Sequence, residues 1–118
     1  MAGSKLDTVV IKRQLAKIEK FASKKNFEAV VRFLDEPDPE VQKATLFGLA
    51  KCGGDSSFNV LTRYLQHPAA DFRTAAAKAL IDLNNVHSRA FIYDAYKREE
   101  DPETKAALYD ALKAIKEY

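Results

Sequence analysis

The sequence predicts an all-α superhelix of stacked helical hairpins, and three observations carry that prediction. First, the pattern that begins Asp38-Pro39-Glu40-Val41 and runs to Cys52 returns at 69–83 and again at 101–115, a spacing of 31 and then 32 residues. Second, the three copies align small or apolar residues in columns: Val41, Phe72 and Thr104; Ala44, Ala75 and Ala107; Gly48, Ala79 and Ala111; Leu49, Leu80 and Leu112; Cys52, Leu83 and Ile115. Those columns fall at i, i+3, i+7, i+8 and i+11, one face of a 3.6-residue period. Third, each copy opens at or just after a proline, and Gly53-Gly54 and Asn84-Asn85 separate successive units. A period of this length built from helical faces is the signature of a solenoid, in which each unit buries its apolar side only against its neighbours.

Taken in order, the chain begins with a helix expected from about Ser4 to Ser23. Ser4-Lys5-Leu6-Asp7 offers a shortened capping box. Ile11, Leu15, Ile18 and Ala22 form its apolar stripe, while Lys12, Arg13, Lys17, Lys20 and Lys24 project elsewhere. Aligning it with the later pattern puts Arg13 or Gln14 in core positions, so it reads as an atypical end element, a cap over residues 1–25. Three hairpins follow, at 26–56, 57–87 and 88–118, within one domain of 118 residues. Their first helices are expected at 27–34, 58–65 and 89–98, with core columns Val30, Leu61, Ile92 and Leu34, Leu65, Tyr96. Their second helices start after Pro39, after Pro68-Ala69, and at Pro102, because proline lacks the N–H that a first turn leaves unpaired. The third copy carries one extra residue around Glu99-Glu100.

Composition narrows the class. Hydrophobic residues make up 47% and charged residues 31%, which excludes a disordered chain. No apolar run approaches the roughly 20 residues of a membrane helix, and the charged N-terminal stretch is not a secretory signal. One cysteine forms neither an internal disulfide nor a thiolate cage, so a cytoplasmic protein is expected. Net charge is +2, but residues 1–25 hold seven Lys/Arg against Asp7 and Glu19 and are net +5, which leaves the remainder at −3.

Asp-Pro-Glu-Val-Gln-Lys-Ala at 38–44 and Asp-Pro-Glu-Thr-Lys-Ala-Ala at 101–107, each leading into an Ala/Gly-Leu pair, resemble HEAT repeats over residues 26–118. The closest likeness is to the short bacterial and archaeal HEAT-like type also found in phycobilin lyases. The resemblance implies a right-handed α-α superhelix whose second helices line a concave side. It also implies a ladder of Asp and Arg between repeats, for which Asp38, Asp101, Arg73 and Lys105 are the matching positions and Gln42 and Ala69 the departures. The function it implies is that of a protein-interaction scaffold, with an accessory role in a lyase as a further implication.

Candidate chemistry is sparse. His67 and His87 are read as exposed loop residues without ligand partners at metal spacing, so no metal or cofactor is expected. Cys52 shares a core column and is expected to be a small buried hydrophobe. The acidic groups at Asp35, Glu36, Asp38 and Glu40, and at Glu99, Glu100, Asp101 and Glu103, sit at helix starts, where carboxylates complement the helix dipole. General acid–base catalysis needs a carboxylate in an apolar pocket, and no enzyme activity is expected. The basic first helix makes accessory nucleic-acid binding the alternative function, although charge alone is an unspecific signal.

The leading expectation is a non-catalytic scaffold that binds a protein segment along the second helices. If Val41, Ala44, Gly48 and Leu49 face inward, then Lys43, Leu46, Phe47 and Ala50 face outward, with Thr74, Ala77, Lys78 and Ile81 as their counterparts in the next copy and Tyr109, Asp110 and Lys113 in the third. Leu46, Ala77 and Tyr109 should then form a continuous exposed row.

Overall fold

Two aspartates set the helix starts most firmly. Asp38 accepts hydrogen bonds from the backbone N–H groups of Glu40 and Val41 at 2.8 and 3.3 Å, and Asp101 accepts from that of Thr104 at 2.9 Å. Each is followed by a first-turn proline, so cap and proline act together on adjacent residues. Ala69 holds the same extended backbone before the intervening helix but has no side-chain oxygen to cap it.

The computed structural model describes residues 5–116 and contains seven α-helices there: α1 (Lys5–Ser23), α2 (Phe27–Val31), α3 (Pro39–Cys52), α4 (Gly54–Tyr64), α5 (Ala70–Leu83), α6 (Ser88–Arg98) and α7 (Pro102–Ala114). The described chain is thus an all-helical repeat solenoid. Ser4, expected to cap α1, lies outside the described residues. Helix α2 is shorter than the expected 27–34, because Arg32–Asp35 tighten into a 3-10 turn. Helix α4 starts earlier than expected. Gly53, at φ 72°, ends α3 in the left-handed region and α4 begins at the next residue, so Gly54, Asp55 and Ser56 form a first turn and not a loop. The boundary expected between 56 and 57 therefore falls inside α4.

The helices form two layers. Helices α1, α3, α5 and α7 lie side by side in one, and α2, α4 and α6 lie across them in the other, giving a slab of 45 × 31 × 18 Å. Helix α1 packs directly on α3, so it is a fourth member of the second-helix layer. One core cluster gathers Ile18 and Ala22 of α1 with Val30, Val41, Leu49 and Val60. A larger one runs from Leu46 through Leu61, Ala76 and Leu80 to Ile92, Leu108 and Ile115.

Helices α1 and α3 approach closely at Gly48. A Cβ there would lie 2.9 Å from Ile18 Cγ2 and 3.2 Å from Val30 Cγ1. Polar links tie the later repeats together. Thr74 and Thr104 hydroxyls meet at 2.8 Å between α5 and α7, both buried, and Thr104 Oγ1 also donates within reach of Asp101 Oδ2. Arg89 donates to the carbonyls of Leu112 and Ile115, covering the C-terminal end of α7.

Candidate functional site

The outward face of the second-helix layer is the surface the sequence singled out, and the structure redistributes its residues. Lys43 is half-buried, with Nζ 3.0 Å from Asp71 Oδ2, and Phe47 and Lys78 are exposed. That hydrogen bond from Lys43 is the main cause holding the Asp71 carboxyl below its ordinary pKa. Tyr109, Asp110 and Lys113 are exposed, with Lys113 Nζ 3.7 Å from Asp110 and 4.8 Å from the centre of the Tyr109 ring. Ile81 is half-buried.

Leu46, Ala50 and Ala77 are not groove residues, and Thr74 reaches a groove only with the edge of a nearly buried side chain. Leu46 and Ala77 are fully buried, and Ala50 and Thr74 nearly so. The expected exposed row of Leu46, Ala77 and Tyr109 is instead the seam along which each second helix stacks on the next. An inner helix of this layer meets a second helix on each side and first helices beneath, leaving only a narrow outward strip. Tyr109 is open because α7 is the last second helix of the described chain.

The outward strip itself carries two shallow grooves that meet at Phe47. One, of about 590 Å³, is lined mainly by Leu15, Ile18 and Ala22 of α1 and by Ala44, Phe47 and Gly48 of α3, with Glu19, Lys51 and Asp82 at its rim. The other, of about 420 Å³, runs between α3 and α5 toward the start of α7, past Lys43, Asp71, Thr74, Lys78 and Glu103. The contribution of α1 to this surface was not foreseen. Its stripe of Leu15, Ile18 and Ala22 was legible, but reading it as an end seal hid that it shares a layer with α3.

Other candidates take ordinary places. His87 is exposed. His67 is not the free loop residue expected. Its ring stacks on Phe72 and Tyr64 at 4.5 and 5.5 Å between centres, and Nδ1 accepts the Ala69 N–H at 3.0 Å. Cys52 is half-buried, and burial pushes its thiol pKa up against a smaller lowering by the Lys25 charge. Among the described residues no three His, Cys, Asp or Glu side chains are grouped to hold a metal ion, and no helix is long and apolar enough to cross a membrane.

Paired helices stacked along one axis define a helical-repeat protein. The family itself is shown by sequence: a family model for HEAT repeats matches residues 27–113, and the chain belongs to the HEAT-repeat family. Proteins of this family generally mediate protein–protein interaction and are typically non-catalytic scaffolds. No curated protein matches the chain.

Proposed function

We propose that this chain is a non-catalytic adaptor that takes a helical or extended protein segment along the outward face of α1, α3 and α5. The supporting observation is Phe47. It stays 38% exposed in the middle of the layer, where both grooves meet and where its immediate neighbours are the small residues Ala44 and Gly48. A large aromatic ring set among small residues is the form that interface anchors take, because it fills a partner's pocket with few rotamers to freeze. The charged rim of Lys43, Lys51, Lys78, Asp71 and Asp82 would fix register more than affinity.

Phe47→Ser tests this reading. The variant should unfold within about 1 kcal/mol of the parent, as expected of a surface position. Its affinity for a partner isolated with the parent chain should fall by about tenfold or more. Unchanged affinity in a normally folded variant would remove the face from consideration.

A further inference from the structure

Among the described residues the two layers are unequal: four second helices stand over three first helices. Helix α2 packs on α1 and α3, and α4 packs on α3 and α5, so first helices elsewhere fill the furrows between neighbouring elements. No first helix precedes α1 among the described residues. The corresponding furrow, on the N-terminal end of the stack, is lined by Lys17 and Phe21 of α1 and by Ala29, Arg32, Phe33 and Glu36 of the following segment, and measures about 280 Å³. Phe21, Ala29 and Phe33 are half-buried there, giving an apolar floor beside the exposed Lys17 and Arg32.

The α1 side of that floor is uniformly basic. Arg13 and Lys20 stand four residues before and three after Lys17, which places these three on one stripe of the α1 surface, and Lys24 follows in the turn just past its end. All are exposed, and none of the four, nor Arg32, forms an ion pair among the described residues. The acidic groups of the facing segment are Glu28, Asp35 and Glu36, and the Glu36 carboxylate already accepts a hydrogen bond from Gln14 at 2.6 Å.

We propose that this furrow is a second docking site, distinct from the Phe47 face, and that its occupant is an acidic amphipathic helix from another protein, lying where a first helix for α1 would lie. The apolar floor matches the narrow hydrophobic stripe of such a helix, as in other helix-in-groove contacts. Carboxylates flanking that stripe at the same period would face Arg13, Lys17, Lys20 and Lys24 in turn, as flanking charges do between paired helices. The two phenylalanines favour a helix over a phosphate backbone, which needs cations but no dry furrow.

The probe is a synthetic amphipathic peptide of about 20 residues with leucine on one face and glutamate on both flanks. Its control has lysine in place of every glutamate, and a single-stranded oligonucleotide of matched charge is titrated in parallel. The full chain should bind the acidic peptide, and amide NMR shifts should move at Lys17, Ala29 and Phe33 and not at Phe47 or Lys78. Lys17→Glu with Arg32→Glu should weaken binding about tenfold or more while leaving the melting curve in place. Should that pair fail to fold, Lys20→Glu with Lys24→Glu serves the same purpose. Equal affinity for the lysine peptide, a shift footprint centred on Phe47, or insensitivity to a folded charge-reversal variant would each overturn the proposal. Tighter binding of the oligonucleotide, with a steep loss in salt, would overturn it in favour of a phosphate surface. Loss of peptide binding to a concentration-dependent dimer would overturn it in favour of a second copy of this chain.

Discussion

Arg73 and Glu99 join two successive hairpins through a two-point ion pair, Nε to Oε1 at 2.8 Å and Nη2 to Oε2 at 2.9 Å. The third nitrogen of the guanidinium, Nη1, donates to the carbonyls of His67 and Pro68 at 2.8 and 3.0 Å, while Glu99 Oε2 also accepts the Asp101 N–H at 3.1 Å. Side-chain exposure is 20% for Arg73 and 5% for Glu99. The resemblance to HEAT repeats implied an Arg–Asp rung here. Glu99, beside the extra residue of the third copy, makes it instead, and Asp101 is left to cap α7.

Removing this pair should show in the acid limb of stability. The hydrogen bond from Arg73 is the largest cause holding the Glu99 carboxyl below its ordinary range, so the folded value lies below the unfolded one. Its contribution is therefore complete above about pH 4.3, the unfolded glutamate value, and drains away as pH falls through the folded value. Glu99→Gln should cost about 2 kcal/mol at pH 7, a figure reduced for the partial solvation of Arg73. Urea unfolding at pH 7 and pH 3 should show the gap between parent and variant closing in acid. A gap that stays constant would assign the loss to packing.

Gly48→Ala should destabilise despite the better helix propensity of alanine. The added methyl would meet Ile18 Cγ2 at 2.9 Å, and Ile18 is 3% exposed, with little room to yield. Overpacking of this sort costs about 1–3 kcal/mol, against a propensity gain of under about 1 kcal/mol. Ile18→Leu removes the offending γ-methyl branch, so the double variant should recover most of the loss. A double-mutant cycle by thermal melting checks this, and strict additivity would contradict the close approach.

Ala69→Asp should stabilise. Ala69 holds φ −91° and ψ 130°, close to the capping aspartates Asp38 and Asp101, yet it offers no side-chain acceptor to α5. Supplying one should add about 1 kcal/mol and raise the melting temperature. Ala69→Asn separates cap from charge, since it should retain most of the gain.

Ala77→Asp and Lys78→Asp make an adjacent pair with opposite expectations. Ala77 is fully buried in the seam between stacked helices, so a carboxylate there would be unpaired away from water, costing about 3–5 kcal/mol. Lys78 is exposed on the outward strip, and its change should stay within about 0.5 kcal/mol. Circular dichroism melts of the two variants decide whether the helix register is right.

Much of this architecture was legible because each repeat writes the same rule again. Val41, Phe72 and Thr104 are all buried at matched positions, and the prolines at 39 and 102 open their helices where expected. Leu46 and Ala77 misled for a definite reason. Facing away from one apolar column means facing water only when a helix has a single neighbour, and these helices are enclosed on three sides. The run Ala75-Ala76-Ala77 carries that information, since residues this small around a helix mark close neighbours on several sides. The Thr74–Thr104 contact and the shared layer of α1 depend on which helices become neighbours, which periodicity within one helix does not encode.

The pairing of α1 with α3, across the intervening α2, also has a consequence in time. Gly48 follows Ile18 by 30 residues, so during synthesis the first helix leaves the ribosome well before its main partner. At the usual elongation rate that interval is roughly 2 to 6 seconds. Throughout it the stripe of Ile11, Leu15 and Ile18 has only α2 to cover it, and α2 is a helix of five residues. Exposed lysines along the opposite side of α1 are the feature of that segment that favours its solubility over the wait.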